Sequence, residues 1–129
     1  VNKALKFAFT RRLNVIVDEI DSFKYGKNTY LRHLIMRARN WGIGWIAIAR
    51  QTSKVDKTVI ANADYSFIFA NYELNAVQYL THNYVLTGSE IAKLKKEDHT
   101  YFIAKASEIL RDKKGDPIIF KGLNFESLN

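Results

Sequence analysis

Cysteine is absent from this chain of 129 residues. That excludes disulfides and thiol catalysis, and it fits a reducing compartment. No apolar run approaches the length of a membrane span. The N-terminal stretch VNKALKFAFTRRLNV is basic and partly apolar but has no small-residue cleavage site, so it does not read as a secretory signal. The chain does not begin with Met, and the expectation is a piece of a longer protein. Neither an internal repeat nor a low-complexity segment stands out, and no stretch reads as a linker between two domains. The three histidines, His33, His82 and His99, are too scattered to form a metal site.

What is present argues for one folded domain. Apolar residues make up 47% of the chain and aromatics 13%, enough for a core at this length. The formal net charge is +7, from 20 Lys and Arg against 13 Asp and Glu. Such a surface favours anionic partners, nucleic acid foremost, although a solvated lysine-rich surface explains the charge equally well.

Leu13 and the run Val15-Ile16-Val17 predict a buried strand over 13–18, because β-branched residues pack well on a pleated surface. A loop with Gly26 and Asn28 follows. Over 29–41, the spacing of Leu31, Leu34, Ile35 and Ala38 predicts a helix with one apolar stripe. Thr29 is placed to cap its start, Gly42 and Gly44 to end it, and Arg32, His33, Arg37 and Arg39 lie off the stripe. WIAIAR, 45–50, predicts a second strand. Ser53 is positioned to cap a short helix carrying Val55, Val59 and Ile60, and DYSFIFAN, 64–71, predicts a third strand. A helix is expected over 73–83 with Leu74, Val77 and Leu80 inward. Thr87 and Glu90 have capping-box spacing before another short helix. HTYFIAKA, 99–106, reads as a strand, and Lys114-Gly115-Asp116 before Pro117 as a hairpin turn. This alternation predicts an α/β fold, a mainly parallel sheet flanked by helices with a late hairpin at one edge.

Two acids, Asp18 and Glu19, end the first strand, and Arg50 and Gln51 end the second. Ligands of open α/β sheets sit beyond the carboxyl ends of the strands, so the two pairs make one candidate site. An Asp there can hold Mg²⁺ through its water shell, since this ion takes oxygen ligands and keeps several waters. The neighbouring Glu19 can orient and deprotonate a water for attack on a phosphate. Gln51 carries both donor and acceptor, so it can sense a γ-phosphate or position the same water. An arginine on the flank of the intervening helix can neutralise transition-state charge across a subunit contact. Each has a plainer alternative: solvated acids at a strand end, a glutamine bonding backbone groups, a helix arginine in solvent, and Arg50 as a structural counter-charge for Asp18.

The segments LNVIVDEIDSF, LIMRARNWGIGWIAIARQTSKV and VIANADYSFIFANY together resemble the C-terminal half of the RecA-like motor domain in the FtsK/HerA superfamily of P-loop ATPases. That superfamily includes DNA translocases, conjugation coupling proteins and viral genome-packaging ATPases. The similarity runs over residues 12–122. It implies that Asp18 is the Mg²⁺-linked Walker B acid, that Glu19 is the catalytic carboxylate, and that Gln51 is the glutamine ending the following strand. It also implies that Arg39 reaches a neighbour's nucleotide site, with Arg32 and Arg37 competing for that role. Arg50 stands where the family usually has Thr, and Thr52-Ser53 where it usually has Arg-Pro. The resemblance further implies ATP and Mg²⁺ as cofactors, double-stranded DNA as the moved partner, and a homo-oligomeric ring, usually a hexamer. A cytoplasmic location goes with it (host cytoplasm for a viral protein), with any membrane association through parts outside this chain.

A P-loop has the spacing Gly-x-x-x-x-Gly-Lys-Ser/Thr, so that backbone N–H groups and a lysine cradle phosphates, and no such run occurs here. YGKNTY has a Gly-Lys pair without the first glycine or a following Ser/Thr, and it comes after the acid-ended strand. The expectation is the downstream half of a motor domain: an upstream segment of the same protein carries the P-loop, and the isolated chain binds ATP poorly or not at all. Lys24 and Lys27 are candidate contacts to DNA phosphates, and Lys93, Lys95 and Lys96 form a second basic cluster. Solvated surface lysines are the alternative for both. Two other functions fit these residues: a nonenzymatic DNA-binding or assembly module on the same sheet, and a membrane-associated secretion or phage-assembly ATPase.

Overall fold

The β-branched run Val15–Val17 forms strand β1, and Trp45–Ala47 forms β2. Both belong to a computed structural model that describes residues 2–23 and 29–122. The turn expected around Gly26 and Asn28 lies outside those residues. The chain divides into two compact units, Val1–Ala63 and Asp64–Asn129.

In the first unit, helix α1 (Asn2–Arg11) precedes β1, and helix α2 (Thr29–Arg37) leads towards β2. The sequence pattern did not announce α1, because only Leu5 and Ala8 on it are fully buried. It packs on α2, and the Phe9 ring meets Tyr30 at 6.3 Å and Trp41 edge-on at 5.7 Å. The α2 stripe behaves as its spacing requires: Leu31, Leu34, Ile35 and Ala38 are all buried, in one core with Leu5, Val17, Ile20, Ile43 and Val59. Burying such an aliphatic side chain stabilises by about 1.5–3 kcal/mol.

A 3₁₀ turn over Ala38–Trp41 tightens the end of this helix. Gly42 then takes φ +66°, where a side chain would be strained, and its N–H donates to the Arg39 carbonyl at 3.1 Å. Gly44 serves a different purpose. Its N–H donates to Asn14 Oδ1 at 2.8 Å, and a Cβ there would crowd that oxygen at 3.2 Å. The contact sets the start of β2 beside the start of β1.

The two strands pair in parallel, with Val15 opposite Trp45, Ile16 opposite Ile46 and Val17 opposite Ala47. The strand expected to be buried over 13–18 is shorter and one-sided. Val17 faces the core, whereas Ile16 is 68% exposed and its partner Ile46 59%. A 3₁₀ turn over Thr52–Lys54 and helix α3 (Lys57–Asn62) complete the unit. The cap of α3 is Asp56, which accepts the Thr58 N–H at 2.8 Å. Ser53, the expected cap, lies in the preceding 3₁₀ turn and too early for that role.

The second unit holds β3 (Tyr65–Phe69), α4 (Leu74–Tyr84), α5 (Gly88–Ile91), β4 (Tyr101–Lys105) and β5 (Glu108–Ile109). The chain is thus α/β as expected, but its third strand joins an antiparallel sheet of order β3-β4-β5. Register runs from Tyr65 opposite Lys105 to Phe69 opposite Tyr101. The inward face of α4 is Ala76, Leu80 and Tyr84, and Leu74 is exposed, so the helix is rotated from the expected face. Tyr84 explains the rotation: its buried hydroxyl donates to Ser66 Oγ on β3 at 2.9 Å. Burial raises its pKa above the ordinary tyrosine value.

The expected capping box at Thr87 and Glu90 forms at the start of α5. Arg111 reaches it, with Nη1 2.7 Å from Glu90 Oε2, and also donates to the carbonyls of Gly115 and Val85 at 2.9 and 3.0 Å. The turn at Gly115 forms with φ +87°, and Arg111 bridges Pro117 across it. No helix among the described residues is long and apolar enough to cross a membrane.

Candidate active site

Parallel pairing brings the carboxyl ends of β1 and β2 side by side. The last ladder bonds run from the Ile48 N–H to the Val17 carbonyl and from the Ile20 N–H to the Ile48 carbonyl, both at 2.9 Å. Between them the chain turns through Asp18 and Glu19. Asp18 Oδ1 accepts the Glu19 N–H at 2.9 Å. Glu19 takes φ 55° and ψ 46°, a left-handed conformation that costs a non-glycine residue about 1–3 kcal/mol. The Ser22 N–H and hydroxyl both donate to the Glu19 carbonyl, at 2.9 and 2.8 Å, and Ile20 anchors the turn by burying its side chain.

Residue 50 is gripped twice from this turn. Its guanidinium Nη2 lies 2.9 Å from Glu19 Oε2, and its N–H donates to Asp21 Oδ1 at 3.1 Å. Asp21 Oδ2 accepts the Gln51 N–H at 3.3 Å. Burial acts to raise the Asp21 pKa. Hydrogen bonds from the N–H groups of Arg50, of Asp21 itself and of Gln51, with the Arg50 charge, outweigh it and hold the carboxyl below the ordinary aspartate value.

Asp18, Glu19 and the Arg50-Gln51 segment therefore share one edge, although the strand expected over 45–50 stops at Ala47 and residues 50 and 51 are held there by Asp21 and Glu19. Arg50 pairs with Glu19 and not with Asp18. Arg39 is not brought to this edge: it precedes β2, on the 3₁₀ turn where the parallel strands begin. Lys24 and Lys27 lie outside the described residues. The residue that sequence reasoning missed is Asp21. Its signal was a third acid in the run Asp18-Glu19-Ile20-Asp21, hidden because its partners are backbone groups far along the chain.

The acids stand out against their surroundings. Residues 1–63 hold twelve of the 20 Lys and Arg but only four of the 13 Asp and Glu. Three of those four are Asp18, Glu19 and Asp21, and the fourth, Asp56, caps α3. Among the described residues no group of three or more His, Cys, Asp or Glu side chains is arranged to hold a metal ion. Asp18 is exposed, with one oxygen bonded to the Glu19 N–H and the other without a protein partner among the described residues. A single hard oxygen donor of this kind fits Mg²⁺, which binds through one or two carboxylates, water and substrate phosphates, and does not fit an ion needing a full protein cage.

No family model and no curated protein matches the chain. Solved structures do. The chain resembles the genome-packaging NTPase B204 of Sulfolobus turreted icosahedral virus 2 in complex with AMPPCP, with a TM-score of 0.65 and 19% identity over 84% of this chain and 54% of that one. The AMP complex of the same NTPase gives 0.59 and 22% over 77% and 52%. B204 of Sulfolobus turreted icosahedral virus, a DNA-packaging ATPase, gives 0.65 and 18% over 95% and 58%. The chain spans little more than half the length of these structures, and it has the fold of part of a P-loop NTPase domain.

Proposed function

We propose that this chain is the acid-bearing half of an ATP-hydrolysing motor domain that moves DNA. The observation that carries the proposal is the shared edge of Asp18, Glu19 and Gln51, built by parallel pairing of β1 and β2. Likeness to the packaging-NTPase structures supports it at the level of the fold.

In this reading Asp18 would be the residue that holds Mg²⁺. The ion, when bound, supplies charge neutralisation at the triphosphate oxygens. Glu19 orients a water and takes its proton as the water oxygen attacks the γ-phosphorus and the bond to the bridging oxygen of the leaving ADP breaks. To act, the Glu19 carboxylate exchanges Arg50 for that water. The exchange is cheap, because the pair is solvent-exposed and such pairs are worth about 0–1 kcal/mol. Gln51 donates its side-chain amide to the γ-phosphate or the attacking water.

Arg39 sits away from its own chain's site, so the reading assigns it to a neighbouring protomer in a ring, of the hexameric kind. The phosphate cradle comes from a P-loop segment of the same protein. That segment covers the bare face of Ile16, Ile46 and Ile48, since parallel strands are normally buried on both sides. The basic background of residues 1–63 draws double-stranded DNA through salt-sensitive phosphate contacts.

The test is ATP turnover by the longer protein, with and without double-stranded DNA, for wild type and Glu19→Gln. We expect ATP binding to survive in Glu19→Gln while turnover falls by about 10²–10⁴-fold. Unchanged turnover would remove Glu19 from the chemistry and overturn the proposal, whereas no turnover by the wild type would favour a nonenzymatic module.

A further inference from the structure

The geometry points to Asp21 as a positioning residue that fixes where Gln51 stands at the candidate site. The inference rests on the reading above for its functional meaning, and on hydrogen-bond accounting for its structural one. The β1–β2 ladder ends with the Ile48 N–H on the Val17 carbonyl. Beyond Ile48 the chain leaves the sheet, and the N–H groups of Arg50 and Gln51 have no strand to pair with. One carboxylate takes both, with Oδ1 on residue 50 and Oδ2 on residue 51.

Asp21 can do this because it is itself held. It lies in the 3₁₀ turn Ile20–Ser22, whose Ile20 side chain is 5% exposed and whose Ile20 N–H bonds the Ile48 carbonyl. The carboxylate is thus referenced to the core, and Gln51 is referenced to the carboxylate. Glu19 stands two residues before Asp21 on the same turn. The fork therefore sets the spacing between the residue that activates water and the residue that senses phosphate. Bonds from N–H groups to an ionised carboxylate are stronger than neutral ones. Asparagine cannot replace the fork, since it offers one acceptor oxygen and turns an NH₂ group towards the second N–H.

The experiment has two arms. In the first, amide hydrogen exchange of the 129-residue chain is followed residue by residue at neutral pH for wild type, Asp21→Ala and Asp21→Asn. Exchange at Arg50 and Gln51 rises by about tenfold or more in both variants, while Ile48 keeps its protection. If Asp21→Ala fails to fold, the near-isosteric Asp21→Asn decides. Unchanged exchange at residues 50 and 51 overturns the inference. In the second arm, Asp21→Asn in the longer protein lowers kcat for ATP by about tenfold or more with KM little changed, because a misplaced positioning group costs rate. Faster exchange with an unchanged kcat also overturns it. The Glu19→Gln control separates the two failures: it tests the hydrolytic reading and leaves the exchange result untouched.

Discussion

Glu19 Oε2 and Arg50 Nη2 lie 2.9 Å apart where β1 and β2 end side by side, although the two residues are far apart in sequence. The pair marks the site edge without welding it. Arg50 is 72% exposed and Glu19 43%, so water competes for both charges. Arg50→Ala should therefore change the stability of the chain by no more than about 1 kcal/mol in urea titration. A loss of about 3 kcal/mol or more would show that the pair is integral to the fold.

The second unit has a tighter ion pair. Arg111 joins Glu90 while also donating to two carbonyls, and its side chain is only a third exposed. Arg111→Ala should destabilise the chain by about 1 kcal/mol, since it unpairs the partly buried Glu90 carboxylate, while the exposed carbonyls of Gly115 and Val85 turn to water. A Tm equal to wild type would refute this.

The same pair carries a pH dependence. The hydrogen bond from Arg111 lowers the Glu90 pKa most; burial opposes it, and Thr87 and the Arg111 charge assist. A carboxyl with a lowered folded-state pKa contributes stability that is fully present above its ordinary value of 4.5 and lost as pH falls through the folded-state value. Acid titration of Glu90→Gln should thus show a shallower loss of stability below about pH 4.5 than wild type. Parallel curves would remove Glu90 from the account.

The rotated face of α4 is directly testable. Leu80 is 2% exposed and Leu74 69%. Leu80→Ala should cost about 2–5 kcal/mol, whereas Leu74→Ala should stay within about 0.5 kcal/mol. Equal losses in urea titration would restore the face expected from the sequence.

Ile16 and Ile46 are cross-strand partners on the bare face of the parallel pair. In the 129-residue chain, Ile16→Lys and Ile46→Lys should leave stability within about 0.5 kcal/mol and reduce binding of a hydrophobic dye. In the longer protein the same changes should cost about 2 kcal/mol or more if the P-loop segment covers this face. Equal tolerance in both proteins would mean that nothing is packed there.

Much of this was legible along the chain. The α2 stripe, the Thr87–Glu90 capping box and the Gly115 turn depend on neighbours three or four residues away, and the sequence displays such neighbours directly. Asp18-Glu19 was legible as a strand end, whereas β2 stops at Ala47, short of the expected 45–50, and Arg50-Gln51 reaches the same edge through Asp21 and Glu19. Helix α1 was not, because two buried residues in ten make a weak period.

By itself the sequence determined the α/β class, the elements with strong local periods and the acids that end β1. Only the tertiary structure decided that β3 pairs antiparallel with β4, that α4 turns Tyr84 and not Leu74 inward, and that Asp21 holds the backbone of Arg50 and Gln51. The reason is one of range. Helix periods, caps and turns are satisfied by groups nearby in the chain, whereas strand partners and the acceptors for off-ladder N–H groups come from distant segments whose identity no local pattern encodes.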